Sequence, residues 1–427
     1  MLLSGGVDSC VAMHLLLAAG HEVVAFYLQI WFEEDFRNSW ASCPWEEDLS
    51  FARQSCAQAG VELRSLPLTH PYWRRVVSAC VGELAAGRTP NPDVLCNARV
   101  KYGAFVEALD AQHERFDRVA SGHYARLHEG RLFACADATK DQTYFLAALS
   151  PAQLSRALFP LSHVTKTQVR QLASVAGLPP ASRRDSQGLC FLGRVKFSEF
   201  VASHVGTRTG GVFDADTGAR LGDHSGAWLF TLGQRSGLRL SGGPWFVAHR
   251  DVARNAVYVT RTYREEGAPR RNAFRVGAFS WAGAERPRQG PGARLRVKVR
   301  HGPDTYACVL QWETPAQAAA GAASAVEADD ALAARACLPP HPHRHPLVNA
   351  AGEVAHPAPP PPPGLSARVQ LDGNDQGLAV RAFHAEQITH NSPRVAGAIR
   401  GVLRRARALP WMWSYLGRQR RGLISFF

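Results

Sequence analysis

Apolar and polar positions along the first 120 residues change period several times. Ser9 to Ala19 (SCVAMHLLLAA) is an apolar-rich helix pattern stopped by Gly20. His21 to Ile30 (HEVVAFYLQI) follows as a mostly apolar strand run. Ser50 to Ala59 reads as a second helix, Val61 to Leu66 as a second strand, and Arg118 to Ala120 as the end of another. Helix and strand in alternation predict a parallel α/β layout with functional loops at strand ends.

Beyond about Gly206 the pattern changes. Short alternating runs appear between Gly, Thr and Asp, as in GGVFDADTGARLGDHSG and WFVAHRDVARNAVYVTR, and these predict β structure. Arg294 to Trp312 continues it as two strands around a His301-Gly302-Pro303-Asp304 turn. Residues 313–364 are Ala-rich, then Pro-rich, and read as a disordered insertion within the β region. The Pro-interrupted histidines His341, His343 and His345 fall inside it and are read as part of that disorder rather than as a metal site.

Length and charge narrow the picture. A chain of 427 residues calls for two or three domains. The net charge is +13, but the stretch from Val380 to Phe427 holds nine Arg, no Lys and one acidic residue, so it carries +8 and the other 379 residues only +5. The body is mildly basic, and charge alone argues only weakly for a polyanionic partner. Nine Cys without a C-x-x-C pair exclude a disulfide scaffold and a paired-cysteine zinc or iron–sulfur site. No stretch has the roughly 20 apolar residues of a membrane helix.

Three short segments carry chemistry. Ser4-Gly5-Gly6-Val7-Asp8-Ser9 opens the first helix. Its glycines let the backbone approach a phosphate, and the helix end supplies N–H donors and a positive dipole. Asp8 is placed to hold a magnesium ion bridging phosphates. In RTPNPDVLCN (88–97), a turn at Asn91-Pro92-Asp93 precedes Cys96, where a helix over NARVKYGAFVEAL is expected to begin. A thiol at a helix start, near Arg99 and Lys101, should be acidified and nucleophilic. Asp93 could serve there as acid or base. In DSQGLCFLG (185–193), Cys190 lies between Gly188 and Gly193, where a reagent could approach, and a persulfide could be carried. Cys10, Cys56, Cys80 and Cys308 lie in helix or strand runs and read as small buried apolar residues.

In that order, the phosphate loop, NPDVLCN and QGLCFLG resemble the tRNA-specific 2-thiouridylases, a family of PP-loop ATP pyrophosphatases. Trp31-Phe32-Glu33-Glu34-Asp35, Ser121-Gly122-His123-Tyr124-Ala125, Lys140-Asp141-Gln142-Thr143-Tyr144 and Phe230-Thr231-Leu232-Gly233-Gln234-Arg235 extend the resemblance to about Trp312, with a brief return at Asn374 to Ala379. It implies an α/β PP-loop domain with a parallel sheet over 1–204, a small central domain over 205–270, and a C-terminal β-barrel from 271–312 and 365–380. Residues 381–427 form an Arg-rich tail, and the family's final strand pair is not expected here.

The implied roles are specific. Leu2, Leu3, Ser4, Gly5, Gly6, Val7, Asp8 and Ser9 would bind ATP with Mg2+ on Asp8, and Leu28 and Gly122 would lie at the adenine side. Asn91, Pro92 and Asp93 would face the target base. His123, Lys140, Asp141, Gln142, Arg300 and His301 would touch tRNA for Lys, Glu or Gln. ATP would adenylate the uracil carbonyl oxygen of the wobble uridine. A persulfide on Cys190, loaded by a sulfur-donor protein or cysteine desulfurase relay, would displace AMP, with Cys96 resolving it. In the alternative order, Cys96 releases hydrosulfide first.

The family places an apolar strand before the loop, and only Met1-Leu2-Leu3 stands there, so the loop is expected to lack its usual anchor. Two rival readings are another PP-loop adenylating enzyme, such as an amidotransferase or lysidine synthetase, and a non-catalytic RNA-binding remnant. The first needs no cysteine pair, and the second gives no reason to keep loop and thiols together. The Ala/Pro insertion, unusual in a compact bacterial enzyme, leads us to expect a eukaryotic organelle (plastid or mitochondrion), with the cytoplasm as the alternative.

Overall fold

Three residues are enough to place the phosphate loop. In the computed structural model, which describes residues 1–30, 44–185, 201–202, 205–262, 273–276, 295–302, 304–312, 317, 367–371 and 382–384, Met1, Leu2 and Leu3 are all buried. Leu2 forms a parallel bridge with Phe26. The Leu3 N–H donates to the Phe26 carbonyl (2.9 Å), the Phe26 N–H to Met1 (2.8 Å), and the Leu2 N–H to Ala120 (2.8 Å). The segment is therefore hydrogen-bonded on both edges, and the expectation of an unanchored loop is overturned. Its neighbours are β1 (Ala25–Gln29) and β3 (Val119–Ala120). β1 pairs in parallel with β2 (Leu63–Pro67), and β3 with β4 (Ala157–Leu158).

The period-2 geometry of strands sends successive side chains to opposite faces, and both faces here are covered. Leu2, Phe26 and Val119 enter one apolar core; Met1, Leu3, Ala25, Tyr27 and Ala120 enter the other. Helix α1 (Val7–Ala18) and α2 (Pro44–Ala59) pack in the second core, through Cys10, Met13 and Cys56 among others. Cys10, Cys56, Cys80 and Cys308 are buried, as read from the sequence. A continuous helical path runs from Pro92 to Ala111: α3 (Pro92–Cys96), a π turn (Asn97–Ala104) and α4 (Phe105–Ala111). Later, α5 (Lys166–Val175) starts at a capping box in which Thr165 and Gln168 bond each other's backbone.

The second unit is a four-stranded sheet of β5 (Gly210–Asp214), β6 (Arg220–His224), β7 (Phe246–Asp251) and β8 (Ala256–Thr260), ordered β6–β5–β8–β7. Val212, Phe230, Trp245, Val247, Val257 and Val259 fill its core. Arg250 fixes it to the loop before α3: its guanidinium donates to the Gly87 carbonyl (2.9 Å) and to Thr89 Oγ1 (2.7 Å).

The third sheet is antiparallel and contains β9 (Ala273–Val276), β10 (Leu295–Val297), β11 (Tyr306–Trp312), β12 (Ala367–Leu371) and β13 (Ala382–His384), ordered β9–β12–β11–β10–β13. The strands expected on either side of the His301–Asp304 turn are β10 and β11. β13 falls within the segment assigned to the Arg-rich tail, so the first residues of that segment belong to the sheet and pair with β10. The insertion over 313–364, Gln317 excepted, and the chain beyond His384 lie outside the described residues.

This sheet is keyed to the first unit by a buried ion pair. Lys298, just after β10, reaches Asp141 Oδ1 at 3.0 Å, with side-chain exposures of 6% and 3%. Asp141 also accepts from the Cys135 N–H (2.9 Å) and from Thr143. Removing only the lysine strands a buried carboxylate. Lys298→Met is expected to destabilise the fold by about 3–5 kcal/mol, read from urea denaturation. The double change with Asp141→Asn, which removes the buried charge as well, is expected to recover part of that loss.

Candidate functional site

The loop from Ser4 to Ser9 leaves the sheet at Leu3 and enters α1 with Gly6 at the N-cap position, and no side chain caps the helix. Gly5 has φ +73°, and a Cβ there would meet the Asp48 carbonyl at 2.0 Å. The loop is therefore closed by backbone contact that only glycine permits. Ser9 Oγ donates to the Gly6 carbonyl (3.0 Å) and accepts from the Ser4 N–H (3.2 Å). Gly122 closes the other side: a Cβ on it would lie 2.8 Å from Ser9 N and 3.0 Å from Asp8 C. Leu2, Leu3 and Val7 bury their side chains in the core, so they can serve a nucleotide only through their backbone. Leu28 sits half-buried near the carboxyl end of β1.

Asp8 is the electrostatic centre. Its carboxylate accepts from Tyr124 OH (2.7 Å) and, through both oxygens, from Lys166 Nζ (2.7 and 2.8 Å). Lys166 Nζ also reaches Asp185 (2.9 Å), which further holds Lys140 (3.2 Å) and Arg170. Burial alone would raise the Asp185 carboxyl, but hydrogen bonds from Lys166 and Lys140 and the charge of Lys166 outweigh it and bring it down to about 2. Burial, and then the Asp8 charge, push the Tyr124 phenol far up, so it stays a neutral donor. Across the loop, Arg183 pairs with Asp48 and Glu47 and lies over the Phe51 ring, 5.0 Å from its centroid. The loop is thus ringed by Lys140, Lys166, Arg170 and Arg183, with Asp8, Asp48 and Asp185 as their counter-charges. Such cations beside an uncapped helix end fit a polyphosphate. Asp8 is a single carboxylate of the kind that holds Mg2+ together with phosphate oxygens, while among the described residues no cluster of three or more His, Cys, Asp or Glu forms a self-contained metal cage.

A bonded path leads from this centre to Cys96. The Tyr124 N–H donates to Gln142 Oε1 (3.0 Å), and the Gln142 N–H returns to the Tyr124 carbonyl (2.8 Å). Two residues on, burial raises the Tyr144 phenol, and the nearby Asn91 side chain partly offsets that rise. The Phe145 carbonyl accepts from Asn97 Nδ2 (3.0 Å), next to Cys96. Asn91 Oδ1 caps α3 by accepting from the Asp93 and Val94 N–H groups (3.1 and 3.3 Å). Pro92 is the first helical residue and is buried; Asp93 lies in the first turn.

The helix therefore starts at Pro92, not at Asn97. Cys96 is its fifth residue and 1% exposed, so the expected helix-start setting of the thiol is corrected: dipole effects fade beyond the first turn, and Asp93 occupies that position instead. Asn-Pro followed by Asp carried the right signal, an N-cap followed by proline at the first helical position.

The remaining expected contacts separate. His123 accepts or donates through Nδ1 to Ser121 Oγ (2.7 Å), which also meets Tyr102 OH (2.8 Å). Burial holds the His123 imidazole well below its ordinary range, with Lys101 adding to the effect, so it is neutral at physiological pH. Lys140 is exposed and paired with Asp185; Asp141 is buried against Lys298; Gln142 is engaged with Tyr124. Arg300 and His301 are exposed, and the His301 ring lies 5.9 Å from that of Phe145. Cys190, with the segment 186–200, lies outside the described residues, as does Trp31 to Asp35.

Sequence reading missed Lys166, Tyr124, Asp185, Arg170 and Arg183. The Thr165-x-x-Gln168 pattern was the available signal for a helix start at Lys166, but nothing local points that lysine at Asp8, 158 residues earlier.

Two outcomes follow from this geometry. Gly122→Ala, whose methyl would overlap the loop backbone, is expected to lower ATP affinity about tenfold or more, measured by calorimetry, with the melting temperature tracked alongside. Asp185 has a folded pKa of about 2 against 3.8 ordinarily. Its contribution, about 2 kcal/mol, is fully present above pH about 4 and lost as pH falls through about 2. The stability gap between wild type and Asp185→Asn should close over that window in denaturant titrations.

Comparison with known proteins fits the same geometry. The tRNA methyl transferase HUP domain family matches residues 1–194, and the tRNA methyl transferase PRC-barrel domain family matches residues 198–261. The tRNA-specific 2-thiouridylase of Porphyromonas gingivalis is 42% identical over 266 residues, covering 61% of this chain and 72% of that protein. One from Bacteroides thetaiotaomicron is 39% identical over 309 residues, 71% of this chain and 85% of that protein. One from Parabacteroides distasonis is 41% identical over 269 residues, 62% and 74% respectively. At these identities and coverages, the chain belongs to the tRNA-specific 2-thiouridylase family.

Proposed function

We propose that this protein is an ATP-dependent sulfurtransferase that converts the wobble uridine of tRNA for Lys, Glu and Gln to 2-thiouridine. The observation that carries the reading is the bonded line from Asp8 through Tyr124 to Gln142, whose chain neighbour Phe145 is bonded to Asn97 beside Cys96, so that a polyphosphate cradle is tied to a buried thiol. The HUP family description mentions methyl transfer, but a phosphate loop joined to a thiol suits activation of an oxygen followed by its replacement by sulfur.

ATP would lie on the loop, its phosphates taking the place that Asp8 and Asp185 now hold on Lys166, with Mg2+ held by Asp8. The uracil O2 attacks the α-phosphorus and pyrophosphate leaves, so a poor leaving group becomes AMP. Asn91 and Asp93 position the base, which must leave the anticodon stack to reach a thiol as buried as Cys96. The terminal sulfur of a Cys190 persulfide attacks C2 and AMP departs. The Cys96 thiolate then attacks the Cys190 sulfur, freeing the thiolated base and leaving a Cys96–Cys190 disulfide, which an external thiol reduces with two electrons. In the other order, Cys96 attacks the persulfide first and releases hydrosulfide as the nucleophile.

We also assign the domains as 1–204, 205–270, and 271–312 with 365–384, the last strand (β13) included, and this last sheet closing into a β-barrel. A sulfur-donor protein or desulfurase relay would load Cys190. The Ala/Pro-rich insertion supports an organellar setting.

With ATP, Mg2+, a persulfide donor and unmodified tRNA, the purified protein is expected to form 2-thiouridine and AMP in equal amounts, measured by nucleoside mass spectrometry and nucleotide chromatography. Cys96→Ser and Cys190→Ser should each abolish the thionucleoside. Thiolation by Cys190→Ser with a persulfide donor would remove the carrier role from Cys190.

A further inference from the structure

Three segments far apart in sequence meet beside Cys96. Phe145 is half-buried, and its carbonyl is fixed to Asn97. Tyr144 is buried and perpendicular to it, with ring centroids 5.4 Å apart. From the third sheet, exposed His301 lays its ring 5.9 Å from Phe145 at a tilt of 32°, close to parallel. Exposed Arg300 stands at the same rim, near enough for its charge to be felt at the Tyr144 phenol. Three residues before His301, the buried Lys298–Asp141 pair fixes this end of the third sheet to the first unit.

This arrangement has a chemical meaning once tRNA is the substrate, and the argument rests on that reading. Extracting a base from an anticodon loop strips its neighbour of a stacking partner, at a cost of a few kcal/mol. A neighbouring aromatic pair at the mouth of the pocket can return that lost contact, because every base offers a π face. A cation at the same rim suits the phosphate linking the two nucleotides.

We propose that Phe145 and His301 form a stacking shelf for the nucleotide adjacent to the target uridine, occupied while the target itself is turned inward toward Cys96. Phe145 is thus a tRNA-binding residue of the site. The shelf exists only when the third sheet is docked, so the π surface is shared between two units of the fold. Its strength does not depend on the identity of the base. It therefore favours an opened loop over a closed one rather than one sequence over another.

The test uses the full chain and unmodified tRNA transcripts bearing 2-aminopurine on the 5′ or the 3′ side of the target. Binding to wild-type protein is expected to quench one of the two positions. Phe145→Leu, which keeps an apolar side chain, should relieve that quench and raise KM for tRNA about tenfold with kcat and ATP affinity unchanged; Phe145→Tyr should restore both. The shelf is refuted if the wild type quenches neither position, if Phe145→Leu matches wild type, or if Phe145→Tyr is as impaired as Phe145→Leu. A wild-type protein that quenches without making 2-thiouridine would instead overturn the proposed function and leave the shelf standing.

Discussion

The contact between Asp8 and Lys166 organises this molecule. A carboxylate in the first turn of α1 is welcome at the positive end of the helix dipole, and it is met there by a lysine from the first turn of α5, 2.7 Å away. Tyr124 adds a neutral donor, and Asp185 balances the second charge of the group. The cations of the cradle are therefore paired with carboxylates of the chain itself. A polyphosphate does not need to create a basic pocket; it needs only to substitute for carboxylates already in place.

The second and third units act on the site from outside the sheet. Arg250 holds the Gly87 carbonyl and the Thr89 hydroxyl, and that loop leads directly into Asn91 and α3. Lys298 holds Asp141, and that residue lies between Lys140 and Gln142. Each accessory unit therefore touches one of the two segments on the path between the phosphate loop and Cys96. Neither supplies the reacting groups; both determine where those groups sit.

Local features of the site were legible in the sequence, and through-space ones were not. The phosphate loop declares itself because its chemistry depends on consecutive residues: two glycines, hydroxyls and the helix they open. Cys96 and Asp93 were found as candidates, but their placement on the helix was displaced by a turn, since the helical pattern over NARVKYGAFVEAL reads as the start and Asn91-Pro92-Asp93 as a turn. The strand role of Met1 to Leu3 was also missed. Three residues are too few for a periodic pattern, and their pairing comes entirely from neighbours at 25–29 and 119–120. Lys166, Arg170 and Arg183 remained invisible because scattered basic residues have no signature until the fold collects them around one loop.

The π turn from Asn97 to Ala104, which follows Cys96 without a break, carries a further consequence. A π turn accommodates one more residue than an α turn over the same rise, and such insertions recur at working sites. Downstream of it, α4 keeps its own packing into the core through Phe105 and Leu109. Upstream, the short helix bearing Asp93 and Cys96 is decoupled from that phase. The orientation of the thiol is thus set by the cap at Asn91 and by the core wall around Cys96, rather than by the phase of α4.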